Sequence, residues 1–106
     1  MIERKEDMVN HPVHYEGSTS LECIDAMRIA FGEEALIAFC KLNAFKYLWR
    51  HKNKNGKQDV QKAQWYLDKA SSLLDLSKNN LENKQIKEMI NACREAQVEY
   101  EAEDQG

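Results

Sequence analysis

The sequence predicts an all-α fold, a small bundle of about four helices with an irregular N-terminal loop, and three observations support it. The chain of 106 residues is long enough for a single small domain with its own core. Its one proline and four glycines are few turn-forming residues for this length. After residue 19, apolar residues recur at helical spacings of three and four along most of the chain.

Residues 1–19 are predicted to form the loop, because His11 precedes a proline and Gly17 interrupts any helix. We assign residues 20–76 to a three-helix core and residues 77–106 to a C-terminal helix with an acidic tail. We see no apolar run typical of a signal peptide and no segment long enough to cross a membrane. We therefore expect a cytoplasmic protein without a membrane partner.

Glycine and capping residues define the first two helices. The first is predicted to begin at the N-cap Ser20 and to stop at Gly32. The second is predicted from about Glu33 to about His51, with lysine and arginine near the negative end of its dipole. Their apolar stripes are Cys23, Ile24, Met27 and Phe31 in the first, and Leu36, Phe39, Cys40, Ala44, Tyr47 and Leu48 in the second.

The third and fourth helices carry heptad seams. The third is predicted from about Gln58 to Leu76 and the fourth from Leu81 to about Tyr100. The two seams can close on each other within one chain or pair between chains, and we expect a homo-oligomer because short helices bury little area alone. The seam residues are Val60, Ala63, Leu67, Ala70 and Leu74 in the third helix, and Ile86, Met89, Cys93, Ala96 and Tyr100 in the fourth.

Charge is unevenly distributed along the chain. The net charge of −3 argues against a protein that coats DNA through its overall field, and we expect no sequence-specific DNA binding. However, residues 41–62 hold seven lysines and arginines against one acid, whereas residues 95–104 hold five acids and no base. One end of the molecule should therefore attract anions. The three cysteines lack CxxC spacing and are predicted to be free core thiols.

Three polar residues of the second helix form the main candidate site. Asn43, Lys46 and Arg50 stand at i, i+3 and i+7, so a helix places them along one edge. Lysine supplies a point charge, arginine a fork for phosphate oxygens, and asparagine a donor and an acceptor that can read a base or sugar. This combination suits a nucleotide. The alternative is that the two cations are solvated or pair with acids of the next helix, while the asparagine bonds locally.

A second group follows the basic turn KNKNGK. Asp59 and Lys62 lie near the start of the third helix, with Trp65 and Tyr66 after them, so a charged pair and two rings would face one loop. Rings beside cations suit a base and its phosphates. The alternative is that Asp59 compensates the helix dipole and that the rings belong to the core.

The remaining candidates lie nearer the N-terminus. His11 and His14 can act as acid and base or hold a metal, although HxxH without a third ligand favours a loop tied by hydrogen bonds. Tyr15 is a candidate for stacking on a ligand. Glu22 and Asp25 place two carboxylates on one helix face, a weak magnesium site whose alternative is pairing with Lys46 or Arg50. The catalytic candidates are Glu22, Asp25, Asp59 and His14, and no GxxxxGKS phosphate loop is present.

Four segments, NHPVHY, LECIDA, FCKLNAFKYLWRHKNKNG and DVQKAQWYL, resemble in order the motifs of a phage family of short proteins of unknown function. Members are often described as SaV-like or as nucleotide kinases, and the resemblance covers roughly residues 10–68. It implies a phage origin, the cytoplasm of an infected bacterium, and a distant link to a nucleoside monophosphate kinase without a Walker motif. The matching polar positions are Asn10, His11, His14, Tyr15, Glu22, Asp25, Asn43, Lys46, Tyr47, Arg50, Asn55, Gly56, Asp59, Lys62 and Trp65.

Three hypotheses about function follow. The first is a nucleotide-binding protein acting as a kinase-like phosphoryl transferase, with the HPVHY loop closing over the ligand and Mg²⁺ held by carboxylates. The second is an oligomer that sequesters a nucleotide, including a cyclic one of host defence signalling, without turnover. The third is an interaction module whose basic turn and acidic tail dock on a host protein.

Overall fold

The computed structural model describes the backbone of residues 20–105 and the side chains of residues 23–104. This part of the chain contains helices and no strands, which confirms the all-α prediction. The predicted N-terminal loop, with His11, His14 and Tyr15, lies outside the described residues. The elements are α1 (Ser20–Phe31), α2 (Glu33–Arg50), a 3-10 turn (His51–Asn53), α3 (Lys57–Ser72) and α4 (Leu81–Gln105).

The chain divides into two compact units, Met1–Leu36 and Ile37–Gly106. In the first unit, Gly32 separates α1 from α2 with a φ of +94°, a left-handed conformation that favours glycine. Its amide donates a 2.9 Å hydrogen bond to the carbonyl of Arg28, as the predicted helix stop requires. Ile24 is buried, but Cys23 is exposed, so the prediction that all three cysteines are core thiols is wrong for Cys23.

The core of the second unit is built on the two predicted heptad seams. α3 packs against α4, so these seams close on each other within the chain. α2 adds three small or medium apolar side chains to the same core. The fully or almost fully buried residues are Ile37, Cys40 and Ala44 of α2, Val60, Ala63, Leu67 and Ala70 of α3, and Ile86, Cys93 and Ala96 of α4.

Two helix ends differ from their predicted positions. α3 ends at Ser72 rather than Leu76, because the hydroxyls of Ser71 and Ser72 donate to the carbonyls of Leu67 and Lys69 at 2.8 and 2.6 Å. α4 continues to Gln105, beyond its predicted end at Tyr100. The Tyr100 hydroxyl lies 2.7 Å from Nδ1 of His51, and Lys57 Nζ lies 3.4 Å from Asp104, so contacts with the 3-10 turn and the start of α3 hold this extension.

No helix within residues 20–105 combines the length and apolar character that a membrane span requires.

Candidate anion-binding site

The site lies where α2 passes through the 3-10 turn into α3. Gly56 closes this connection with a φ of +55°, and its amide donates a 2.7 Å hydrogen bond to the carbonyl of His51. As the N-cap of α3, glycine has no side chain to bond the first amides. Asp59 of the first turn instead reaches back across the connection. The connection therefore sets Asp59 beside the last turn of α2.

Asp59 has no solvent-exposed side-chain surface and accepts four hydrogen bonds. Nε and one terminal nitrogen of Arg50 donate to its two oxygens at 3.2 and 3.3 Å, which is the bidentate geometry that a guanidinium favours. The amide and side-chain nitrogens of Asn55 donate at 3.2 and 3.3 Å. Both carboxylate oxygens are thus engaged.

These bonds keep the buried carboxylate ionised. Burial alone would raise the pKa of Asp59, but the hydrogen bonds from Arg50 and Asn55 and the positive charge of Arg50 outweigh it, so the net pKa is lowered. Arg50 in turn has its charge compensated within the protein. This pairing is the alternative considered for Arg50 at the sequence level, and it directs two of the guanidinium donors toward Asp59 rather than outward.

Three cations surround the ring of Tyr47. The guanidinium carbon of Arg50 lies 4.6 Å from the ring centroid, and the ammonium nitrogens of Lys46 and Lys62 lie 5.2 and 5.6 Å from it. All three distances fall within the roughly 6 Å range of cation–π attraction. Lys46 and Arg50 come from α2 and Lys62 from α3, so the ring joins charges from both helices.

The same ring belongs to an aromatic cluster. Tyr47 stacks on Tyr66 with centroids 6.0 Å apart and planes 14° apart. Phe39 and Trp65 each meet Tyr66 edge to face, at 5.9 and 5.1 Å. Trp65 remains 38% exposed, so one ring of the cluster offers a surface to solvent. The cluster therefore connects the ring beside the lysines, through Tyr66, to a partly exposed ring.

The charge balance of the cluster is positive. Arg50 and Asp59 cancel, whereas Lys46 and Lys62 form no ion pair within the described part of the chain. Both lysines are exposed at the surface. Two uncompensated ammonium groups beside one ring make this cluster the candidate anion site. Two other lysines of residues 41–62 are instead paired with acids, Lys41 with Glu82 and Lys57 with Asp104.

The structure brings together some of the predicted site residues. Lys46, Arg50 and Lys62 meet at Tyr47, and Trp65 joins them through Tyr66. Asn43 does not meet this ring, and its side-chain nitrogen donates a 2.9 Å hydrogen bond to the carbonyl of Phe39 within α2. The alternative of a local bond is thus observed for its amide group.

The remaining candidates belong to the N-terminal part of the chain. Asp25 is exposed and belongs to the first compact unit. The side chain of Glu22 lies outside the described residues, as do His11, His14 and Tyr15. Among residues 23–104, no group of three or more histidine, cysteine, aspartate or glutamate side chains is placed to hold a metal ion. Asp25 belongs to no such group within these residues.

The sequence assigned Tyr47 to packing and did not predict that three cations would meet at its ring. Tyr66 was named with Trp65 as a candidate ring, but its stacking on Tyr47 was not predicted. A signal was available for Tyr47, because it stands three residues before Arg50, a spacing that brings side chains together on a helix. No local spacing connects Tyr66 to α2. Its contact with Tyr47 depends on how α2 and α3 are packed.

A family model described as a protein of unknown function, DUF3310, matches residues 9–68. The chain belongs to the DUF3310 family. The match agrees in extent with the resemblance found from the motifs, and it includes every residue of the lysine and ring cluster while α4 lies beyond it. Comparison with curated proteins gives no significant match, and comparison with solved structures gives none either.

Proposed function

We propose that the chain is a phage-encoded nucleotide-binding protein whose ligand phosphates contact Lys46 and Lys62. The observation that carries the proposal is the position of these two ammonium groups, 5.2 and 5.6 Å from the ring of Tyr47 and without ion pairs among the described residues. A phosphate group satisfies such a pair better than a carboxylate, because its oxygens carry more charge and accept bonds from several directions.

Rings beside the lysines favour a nucleotide over inorganic phosphate. A base can stack on an exposed aromatic face, and Trp65 offers one next to Tyr66. The side-chain oxygen of Asn43 is available to a sugar or base, since the hydrogen bond to Phe39 uses only its nitrogen. In this proposal His11, His14 and Tyr15, which lie outside the described residues, remain further ligand-binding candidates.

The phage origin and a kinase-like activity enter the proposal from the family resemblance. In the catalytic version, the chain transfers a phosphoryl group by positioning and charge neutralisation. Asp59 is poorly suited to bind Mg²⁺ or to orient an acceptor, because both its oxygens accept hydrogen bonds inside the protein. Glu22, Asp25 and His14 are then the groups proposed to hold Mg²⁺ or to move a proton.

The engagement of Asp59 favours a second candidate, a binder without turnover. Such a protein would sequester a nucleotide, including a cyclic nucleotide of host defence signalling, through the same lysines. We also propose that the chain works as a homo-oligomer in the cytoplasm of the infected bacterium. A host-protein interaction module, the third candidate, predicts that no nucleotide stabilises the protein.

A thermal shift screen against nucleoside mono-, di- and triphosphates and cyclic dinucleotides tests binding. A ligand at a hundred times its dissociation constant adds about 2.7 kcal/mol to the free energy of unfolding. Lys46→Ala and Lys62→Ala should each reduce this stabilisation. The matched control is Lys84→Ala, because Lys84 is an exposed lysine of α4. Equal shifts in all three variants, or no shift with any nucleotide, would reject the site.

Turnover is tested separately with the stabilising ligand. The protein is incubated with that nucleotide, ATP and Mg²⁺, and the products are separated by chromatography. Appearance of a nucleoside diphosphate from a monophosphate supports the kinase, whereas quantitative recovery of unchanged ligand supports sequestration.

A further inference from the structure

α2 exposes a row of large apolar side chains that the proposed nucleotide site does not use. Leu42, Phe45 and Trp49 are 71%, 56% and 79% exposed. The rings of Phe45 and Trp49 stack on each other, with centroids 5.9 Å apart and planes 20° apart. Stacked aromatic side chains in an exposed patch are typical of binding hot spots rather than of an ordinary surface.

The spacing of this row is that of a helix-pairing seam. Ala38, Leu42, Phe45 and Trp49 are separated by four, three and four residues, which is a heptad pattern with apolar residues at both core positions. Ala38 is exposed like the other three. The seams of α3 and α4 are closed against each other, whereas this seam of α2 has no covering helix among the described residues of the second unit.

The row forms one wall of a groove between α2 and α4. The groove has a volume of about 550 Å³, and α4 supplies its other wall with Gln85, Glu88, Met89 and Ala92. An apolar groove of this kind can accept one amphipathic helix. The α2 helix of a second copy is the candidate for this groove, because its exposed face has the heptad spacing that is typical of helices that pair.

We propose that a second copy of this chain covers this face, with the two α2 helices packed antiparallel about a twofold axis. In the register centred between residues 43 and 44, Leu42 lies against the partner's Phe45, and Ala38 lies against the partner's Trp49. The small alanine leaves room for the large indole, and symmetry repeats both pairs. A parallel arrangement would place two Trp49 side chains against each other and two alanines opposite, which would fill space poorly.

The exposed rings of Phe45 and Trp49 supply part of the area that an interface between two copies needs. An aromatic side chain buries about 150–250 Å², so the exposed parts of Phe45 and Trp49 amount to roughly 300 Å² per protomer and roughly 600 Å² per pair. That is about half of the roughly 1,200 Å² at the low end of stable interfaces. Leu42, Met89 and the groove rim must supply the remainder.

Charge also favours α2 as the occupant. Glu88 stands on the groove rim and forms no ion pair within the described residues. The incoming helix carries Lys41 beside its apolar seam, a lysine that lies 3.6 Å from Glu82 in its own chain. The rim of each groove therefore offers the partner's Lys41 a second acid, Glu88. The proposal does not depend on nucleotide binding, because the seam residues are not those that contact the Tyr47 ring.

Sedimentation equilibrium of the full chain over a wide concentration range tests the interface. Leu42→Glu and Phe45→Lys should each raise the dimer dissociation constant at least about 100-fold, because symmetry removes two central contacts per change. Both side chains are largely exposed in one copy, so circular dichroism should show an unchanged helical content. Val98→Glu is the matched control, an exposed apolar residue of α4 outside the groove lining, and should leave the dissociation constant unchanged.

The double variant L42E/F45K tests the direction of packing. In the antiparallel register each glutamate meets the partner's lysine, so association should return toward the wild-type level. A parallel pair would instead set like charges opposite each other. A monomeric wild-type chain, or a dimer indifferent to Phe45→Lys, would overturn the proposal, and a double variant that stays dissociated would overturn the antiparallel register.

Discussion

Replacing Arg50 by alanine should destabilise the protein strongly, because it removes the charge that compensates Asp59. The Asp59 side chain has no exposed surface, whereas 32% of the Arg50 side chain is exposed. After Arg50→Ala, the carboxylate keeps only the two hydrogen bonds from Asn55. A buried charge would then remain with half of its partners.

The expected magnitude follows from this burial. Removing one partner of a fully buried ion pair costs about 3–5 kcal/mol. Because Arg50 is partly exposed, water can replace some of its interaction, which lowers the estimate to about 2–3 kcal/mol. Loss of the contact with the Tyr47 ring adds about 0.5–1 kcal/mol. We therefore expect a fall of about 3 kcal/mol in the free energy of unfolding at pH 7.

The effect should depend on pH with a defined sign. In the wild type the pKa of Asp59 is lowered on folding, so its contribution is complete above about pH 5 and is lost as pH falls through and below about 4. In the variant, burial acts with less opposition and should raise this pKa, so protonation relieves the folded state. The difference between wild type and variant should therefore shrink from pH 7 to pH 3.

Urea unfolding followed by circular dichroism measures both quantities. The matched control is Arg28→Ala, which removes a shorter ion pair, 2.7 Å to Glu33, whose side chains are 46% and 52% exposed. An exposed pair contributes about 0–1 kcal/mol. If Arg50→Ala costs no more than Arg28→Ala, or if its cost is the same at pH 3 and pH 7, the argument from burial is wrong.

Three further predictions concern the turn and the thiols. Tyr100→Phe removes the hydrogen bond with His51 and should cost about 1 kcal/mol in urea unfolding. Burial, followed by the charges of Glu103, Glu99 and Asp59, raises the pKa of Tyr100 in the folded protein. The free energy of unfolding of the wild type should therefore fall above about pH 10, and that of Tyr100→Phe should fall less. Gly56→Ala should lower the free energy of unfolding by about 1–2 kcal/mol, because alanine disfavours the left-handed φ of +55° at this position. The new Cβ would not clash, since the nearest Tyr100 atom would lie 3.6 Å from it. A thiol reagent should label the exposed Cys23 rapidly, and the buried Cys40 and Cys93 only after unfolding. Burial raises the pKa of both buried thiols, and together with the charge of Asp68 it raises the pKa of Cys93 to about 11.

The helices could be predicted because apolar spacing and glycine act locally. Gly32 ends α1 where expected, and the seams of α3 and α4 meet as heptads do. The end of α3 could not be predicted from its seam, which continues to Leu74. Two consecutive serines that bond back to α3 carbonyls decide that end, and their rotamers are not visible in a pattern of apolar residues.

Part of the candidate site was equally predictable. Helix geometry predicts Arg50 beside Tyr47, which stands three residues before it, whereas Lys46 reaches the same ring from the adjacent position. That Arg50 would turn toward Asp59 could not be deduced, because it depends on the positive φ of Gly56 and on the bonds from Asn55. Local spacing brings side chains to one edge but does not decide which partner a charged group takes.

The exposed seam of α2 could not be predicted from the spacing of apolar residues. Apolar residues occur on two sides of this helix, one buried with Cys40 and Ala44 and one exposed with Phe45 and Trp49. Periodicity assigns a helix to such a segment but cannot tell which side the chain covers.

The two sides of α2 that remain at the surface can be separated experimentally. Lys46 lies at the Tyr47 ring, and its neighbour Phe45 lies in the exposed seam, so adjacent residues serve different proposals. Lys46→Ala should weaken ligand stabilisation and leave self-association intact, whereas Phe45→Lys should do the reverse. If both variants lose both properties, the ligand site requires the assembled dimer. If each loses only its own, one helix carries two independent surfaces, and its sequence is constrained on three sides: by the core, by the anion site and by the second copy.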